Sequence, residues 1–285
     1  MTDSFCVLAS GSSGNSSLVR TDSFALLIDS GIGPRTLSAR LGAVECDWTR
    51  IGAMVLTHTH SDHWNERTLA QLRSQNVPVW MHPDHGAILR QWSPSYEPLR
   101  KAGLIRYFAN GEIFSPGGSL QVLPIEIPHD SKPTFAFRIE GGRPGQPHFS
   151  LGYASDLGCV TDRLRDGFRG IDLLAIEFNH DVGLQMRSGR PAQLINRVLG
   201  DEGHLSNRQA AAALGTWLEL DPHCLNRVFQ LHLSRQCNRP DLARVAALEA
   251  IRDSGSEVEV FTASQELPTK MVPISTGSGR TSLFL

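Results

Sequence analysis

Val55-Leu56-Thr57-His58-Thr59-His60-Ser61-Asp62-His63 is the stretch on which the reading of the chain turns. Residues 53–56 are an apolar run with the composition of a buried strand end. The chain then leaves the strand and delivers three imidazoles and a carboxylate between His58 and His63. A polar loop gains no stability from such a cluster, whereas neutral imidazole and carboxylate together suit a divalent cation such as zinc, manganese or iron. His58 and His60, two apart on an extended segment, can point toward one ion. Asp62 and His63 come from the following turn and aim at a second. Two-metal hydrolases hold their ions roughly 3.5–4 Å apart, a span such a turn bridges. The H-x-H-x-D-H order therefore predicts a binuclear centre at the end of a strand.

Outward from this stretch, 5–9, 17–20 and 24–28 read as strands and 34–41 as a helix. The loop Ser10-Gly11-Ser12-Ser13-Gly14-Asn15 joins the first two strands. Its glycines permit positive φ, and its N–H and hydroxyl groups suit an anion as well as an ordinary hairpin. After the histidines, helices are expected at 66–73 and 84–91, with a strand at 79–81 between them. The Gly/Pro-rich segment 141–147 reads as a turn between strands 135–139 and 149–153, and the polar, basic 185–190 as a mobile loop. His82 and His85 are separated from the cluster by a helix and read as surface or capping residues.

The 285 residues are 40% hydrophobic and 20% charged, the profile of a soluble α/β domain, taken as one unit over 1–285 with a flexible tail from about 274. No apolar run approaches the roughly 20 residues of a membrane span. The first residues lack the basic region of a signal peptide. Five scattered cysteines without a C-x-x-C pair point to reduced thiols and a cytoplasmic setting. A net charge of -2 excludes a bulk basic field. Two divalent ions would bring it to about +2, concentrated at the site.

Further ligand-type residues fall at expected strand ends: His129 after 125–127, Asp156 after 149–153, Glu177 and His180 at the end of 172–177, and His232 after 228–231. In layered α/β folds, sites gather where strands end and loops converge. The expected first site is His58, His60 and His129, and the second is Asp62, His63 and His232, with Asp156 bridging the two. Each ion keeps a place for shared water, acidified toward neutral pH to give a hydroxide nucleophile. His204 lies just ahead of Ser206-Asn207-Arg208-Gln209, a capping box opening a helix over 210–218, where the helix dipole favours phosphate.

The order and identity of these residues resemble the metallo-β-lactamase superfamily over nearly the whole chain. That resemblance implies an α/β fold, a four-layer αββα sandwich of two mixed β-sheets flanked by helices. A bridging Asp156 without a ligand cysteine is similar to its phosphodiesterase and nuclease branches. Leu8 to Asn15, Pro128-His129-Asp130, Glu177-Phe178-Asn179-His180-Asp181, Gly203-His204-Leu205-Ser206-Asn207 and His232-Leu233-Ser234-Arg235-Gln236-Cys237-Asn238 resemble the YycJ/WalJ group, regarded as 5′→3′ DNA exonucleases. Phe178 departs from the small residue expected there.

Glu177 and His204 resemble the Glu–His pair of the tRNase Z branch, in which the histidine assists at the scissile phosphate. The resemblance thus implies Asp62, Glu177 and His204 as the catalytic residues. It also implies two divalent ions, zinc or manganese with iron as the further candidate, and substrate contacts from Ser12, Ser13, Asn15, His180, Ser206, Asn207 and Ser234. The expected partner is nucleic acid, DNA ahead of RNA. A small cyclic phosphodiester, as in the phosphoribosyl cyclic phosphodiesterases, shares the same ligand set. A non-hydrolytic metal-binding member is the reading from another class, and the complete ligand set counts against it. Between Asp156 and Arg208 arginines and acids balance, so no basic stripe decides for a polymer. Arg187, Arg190, Arg235 and Arg239 are the candidates for backbone contacts.

Overall fold

The structure is a computed structural model that describes residues 3–143 and 146–274. The first half runs β1 (Ser4–Ala9), β2 (Ser16–Arg20), β3 (Ala25–Ile28), α1 (Pro34–Ala43), β4 (Ile51–Val55), α2 (Glu66–Ser74), β5 (Val79–Met81), α3 (Pro83–Trp92), α4 (Tyr96–Lys101) and β6 (Ile105–Tyr107). The second runs β7 (Phe114–Gly117), β8 (Leu120–Ile127), β9 (Thr134–Arg143), β10 (Gln146–Ala154), α5 (Asp162–Gly167), β11 (Leu173–Glu177), α6 (Val182–Met186), α7 (Ala192–Leu199), α8 (Asn207–Leu220), β12 (Arg227–Leu231), α9 (Pro240–Ser254), β13 (Glu259–Thr262) and β14 (Val272–Pro273). Sheet one is ordered β14-β1-β2-β3-β4-β5-β6 and sheet two β13-β12-β11-β10-β9-β8-β7.

Strand periodicity builds the layers. Alternate residues of one strand face opposite ways, so each strand feeds two cores. Phe5 and Val7 of β1, Leu26 and Ile28 of β3, Phe135 and Phe137 of β9 and Phe229 and Leu231 of β12 meet in the core between the sheets. Cys6, Leu8, Ala25 and Leu27 turn outward onto α1 to α4, while Leu174, Ile176 and Val228 turn onto α5, α8 and α9. Strands buried on both faces read as continuous apolar runs. Phe5 and Phe229 join the sheets edge to face, with centroids 5.0 Å apart at 87°. Three cores separate four layers, so the αββα sandwich is the architecture of the chain.

In sheet one, β3 to β6 pair in parallel, and in sheet two β10 to β13 do so. Their C-terminal ends form one rim, and Phe135 N–H donates across it to the Thr57 carbonyl at 3.0 Å. The helices flanking that rim start on ordered caps. Asn65 accepts from the N–H groups of Arg67 and Thr68 at α2. Ser206 and Gln209 form the expected capping box at α8.

Three expectations need correction. The 141–147 turn is mostly strand, since β9 continues to Arg143 and β10 begins at Gln146. Gly141 is needed for packing, because a Cβ there would lie 2.1 Å from the Phe149 ring. The 185–190 loop opens on the end of α6, which Asp181 caps through the Leu184 N–H. Phe24 precedes β3 instead of starting it, its ring packing where Cβ atoms on Gly52 and Gly117 would fall. The expected tail lies beyond Ile274, outside the described residues; Ile274 itself is buried and its N–H donates to the Asp3 carbonyl.

Candidate metal centre

Every candidate ligand stands just past a strand end on the common rim. His58 follows β4, His129 follows β8, Asp156 follows β10 and His232 follows β12. Three rim residues hold a left-handed backbone: Asp29 at φ 61°, Asp156 at 59° and His232 at 52°. Side chains other than glycine seldom adopt that region, at a cost of about 1–3 kcal/mol each. Here the turn re-aims the side chain from the sheet face into the cleft.

The geometry brings four clusters together, with ligand atoms within 4.8 Å of one another in each: His58/His60/His129, Asp62/His63/His232, His58/His63/Asp156 and Asp156/Glu177/His204/His232. His60 Nδ1 lies 3.3 Å from His129 Nε2. That is about the separation of two ligands held tetrahedrally at 2.0–2.1 Å from one ion. Asp62 Oδ2 lies 3.4 Å from His232 Nε2. Asp156 reaches both ways, Oδ2 to His63 Nε2 at 2.8 Å and Oδ1 to His232 Nδ1 at 2.7 Å. His58 Nε2 and His232 Nε2 are buried without a hydrogen-bond partner. Buried polar atoms carry partners almost without exception, so two orphaned imidazole nitrogens facing carboxylates fit a divalent cation.

The surrounding groups orient the imidazoles. Asp29 Oδ2 is 2.7 Å from His63 Nδ1, while its Oδ1 accepts from the Thr57 N–H at 2.8 Å. The Gly203 carbonyl is 3.0 Å from His129 Nδ1 and Thr57 Oγ1 is 3.0 Å from His58 Nδ1. Such partners fix ring orientation and leave the opposite nitrogen for a metal. Asp130 Oδ1 lies 3.5 Å from His60 Nε2, and its Oδ2 is paired with Arg197.

Electrostatics separate the groups by role. Burial, and His63 beside it, push His58 well below the ordinary imidazole value, leaving it neutral. Burial acts against charge on His63 too, but Asp29 and Asp156 overrule it and push the imidazole up to about 10. Burial works against the charge of Asp156, yet His232 and His63 hold its carboxyl well below the usual carboxylate range. Protons and divalent cations compete for such a cluster. Burial likewise opposes charge on Glu177, which His204 holds down to about 2. On His204 burial lowers the value, and Glu177 followed by Asp156 outweighs it, so the imidazole is raised.

Glu177 is fully buried and spans the site. Its Oε1 lies 2.8 Å from His204 Nδ1 and 2.9 Å from His232 Nδ1, and its Oε2 accepts from the N–H groups of Leu157 and Leu205 at 3.1 and 3.2 Å. Phe178 is buried in the outer core of sheet two, which is how the chain accommodates its departure from a small residue.

The residues singled out as substrate contacts divide. Ser12 and Ser13 are exposed at the loop tip. Asn15 is buried, its amide turned to Asp62 and His63. Ser206 Oγ is engaged in the α8 cap, Asn207 in a reciprocal amide pair with Asn238 at 2.8 and 2.9 Å, and Ser234 Oγ with the Cys237 N–H. His180 is buried with neither ring nitrogen partnered, and burial holds it down to about 4. His82 caps α3, and His85 Nε2 lies 2.8 Å from the Pro133 carbonyl, so neither joins the centre.

Sequence reasoning gave no role to Asp29 or Asp130 and read Ser10 only as part of a loop suited to an anion or a hairpin. The signal for Asp29 was present: Asp29-Ser30-Gly31 ends an apolar strand just as Asp156-Leu157-Gly158 follows one. Gly31 carries its own consequence, because a Cβ there would lie 1.8 Å from the Asp62 carbonyl oxygen. Gly31→Ala must displace the Asp62 turn, and we expect a loss of about 1–3 kcal/mol, the scale of overpacking, in urea unfolding of the metal-free protein. An unchanged unfolding midpoint would show that the turn is not seated against Gly31.

Residues 25–217 match the family described as "Beta-lactamase superfamily domain". Exodeoxyribonuclease YycJ of Bacillus anthracis is 28% identical to this chain over 278 residues, covering 94% of it and 97% of that protein. Exodeoxyribonuclease WalJ of Streptococcus pneumoniae serotype 2 is 27% identical over 280 residues, covering 95% and 97%. Among solved structures, Zn(2+)-bound PqqB from Methylobacterium extorquens superposes with a TM-score of 0.66 at 17% identity, covering 93% of this chain and 99% of that one.

Proposed function

The chain belongs to the beta-lactamase superfamily, and from that premise we propose that it is a metal-dependent phosphodiesterase, a 5′→3′ exonuclease acting on DNA with two divalent ions. Similarity to proteins named exodeoxyribonuclease along nearly the full chain supports the substrate class. The observation that carries the chemistry is the buried Glu177 joined to His204 beside the ligand clusters. His58, His60 and His129 would hold one ion and Asp62, His63 and His232 the other, with Asp156 between them; zinc or manganese suits this donor set, as does iron. Bound there, the ions supply Lewis acidity and bring water to a nucleophilic state near neutral pH.

The protein's own residues do the rest. A phosphodiester transition state gathers negative charge on its non-bridging and leaving oxygens. Glu177 on Nδ1 favours the protonated form of His204; an imidazolium there would oppose that charge and hand the proton on its Nε2 to the leaving oxygen. Buried Asp29 and Thr57 keep His63 and His58 from turning. Arg187 is exposed at the end of α6, and Arg190, just beyond it, donates to Gln236 Oε1 at 2.8 Å. Both lie on the segment that leaves the rim after His180, and Gln236, Arg190's partner, lies on the segment that leaves it after His232; we assign this edge to the DNA backbone.

The decisive test is a substrate panel: 5′-labelled duplex and single-stranded DNA, RNA, and a cyclic phosphodiester, each with manganese and with zinc. Processive release of nucleotides from 5′ ends, lost on chelation and restored by metal, is the expected result. Turnover of the cyclic ester alone would overturn the polymer assignment. Replacing Arg187 and Arg190 together by Gln should raise KM for DNA several-fold and flatten its salt dependence by about 0.7–0.9 of a log unit for each phosphate no longer neutralised. Hydrolysis of bis(p-nitrophenyl) phosphate, which has no backbone to grip, should move less than about twofold. An unaltered salt slope would remove both arginines from the DNA path.

A further inference from the structure

We infer that the Ser10–Asn15 loop is a clamp that builds the second of the two ion sites, positioning Asp62 and His232 instead of binding an anion. The inference rests on the two-ion reading above and concerns a segment that chemistry alone would assign to phosphate.

Asn15 is buried and committed on every side. Its backbone N–H donates to the Asp62 carbonyl at 2.7 Å, and its carbonyl accepts from the Gly31 N–H at 2.8 Å. Its Nδ2 lies 3.2 Å from Asp62 Oδ2 and 3.0 Å from His63 Nε2. Its Oδ1 accepts from the Gly11 N–H at 2.8 Å and the Ser10 hydroxyl at 3.4 Å. Ser10 Oγ in turn accepts from the His232 N–H at 2.7 Å, and Ser10 N–H donates to the Ser264 carbonyl at 3.1 Å.

These contacts form one path, Asp62 to Asn15 to Ser10 to His232. The fold gives that path a task. Asp62 leaves sheet one after β4, and His232 leaves sheet two after β12. The two ligands therefore belong to opposite sheets and share no backbone pairing, yet Asp62 Oδ2 and His232 Nε2 stand 3.4 Å apart. Beside the Asp156 bridge from His63 to His232, Asn15 on Asp62 and Ser10 on His232 form a second hydrogen-bonded link between the two ligands. Gly11 and Gly14 carry φ of 131° and 141°, values that let the loop fold back on itself to make both contacts. An anion cradle would leave the N–H groups and the amide free, whereas here the Gly11 N–H and the Asn15 amide are spent inside the protein.

The consequence is asymmetric. His58, His60 and His129 touch neither Ser10 nor Asn15, so loosening the clamp should spare the first ion and weaken the second. Ser10→Ala and Asn15→Ala, titrated with zinc by calorimetry after chelation, should each keep the first zinc within about threefold and bind the second 10–100-fold more weakly, the range for losing one orienting partner of a ligand. In the cobalt-loaded protein the visible bands of the second ion should fade before those of the first. Ser10→Ala removes a single hydroxyl oxygen and provides a folded comparison should Asn15→Ala unfold. Two zincs bound as in the parent, or both weakened alike, would overturn the clamp while leaving the two-ion reading intact. A parent chain that takes up fewer than two zincs would sink both.

Discussion

Asp156→Ala is expected to lower turnover at least about 10³-fold and to lose zinc. The carboxylate contacts His63 and His232 of the proposed second site at 2.8 and 2.7 Å and clusters with His58 of the proposed first, the placement on which its proposed bridging role rests. A metal's Lewis acidity amounts to several kcal/mol of transition-state stabilisation, and each 1.36 kcal/mol is tenfold in rate. Loss of proper seating for even one ion therefore accounts for at least three decades. Truncation also removes one of the anions that balance buried His63 and His232, leaving Asp29 on the first and Glu177 on the second, a costly change. Zinc per chain, measured by mass spectrometry after gel filtration, should fall below the parent value together with kcat on labelled DNA. A variant with full zinc and turnover within tenfold of the parent would end the bridging role.

His204→Ala should behave differently: zinc is retained and kcat falls about 10²–10³-fold, the effect of losing one transition-state donor. His204 lies ahead of α8, and its Nδ1 is occupied by Glu177 at 2.8 Å, which leaves Nε2 for the substrate. In the proposed mechanism Glu177 acts on the substrate through His204, so Glu177→Gln combined with His204→Ala should cost little more than His204→Ala alone. Residues that act as a unit are not additive in this way. Glu177 also touches His232, so zinc affinity of Glu177→Gln must be measured beside the rates. Equal turnover of His204→Ala and parent, with both metals in place, would take His204 out of the mechanism.

Much of the site was legible because its residues are close in sequence or mark strand ends. H-x-H-x-D-H is a local signal, and His129, Asp156 and His232 each follow a short apolar-rich segment that reads as a strand. The sandwich itself was implied by the resemblance those residues carry. What sequence could not give were partnerships made across the sheets. Ser10 and Asn15 read as an anion loop since their donors are visible, whereas Asp62 and His232, which consume them, are 47 and 222 residues away. Ser206 and Asn207 were substrate contacts only by resemblance: Ser206 serves the α8 cap that its own sequence predicts, and Asn207 pairs with Asn238, 31 residues away. Gly141 read as a turn because sequence reveals freedom of φ and not the Phe149 ring that requires the missing Cβ. The positive φ of Asp29, Asp156 and His232 has no sequence signature either, since the strain is tolerated only where the fold enforces it.

The most direct measurement is anomalous scattering at the zinc edge from crystals grown with zinc. The expected map holds two peaks at the rim, one about 2.0–2.2 Å from nitrogens of His58, His60 and His129 and the other at that distance from Asp62, His63 and His232, with Asp156 reaching both. A single peak, or two peaks bonded to residues outside this set, would contradict the claim that the two sheets meet to hold a pair of cations.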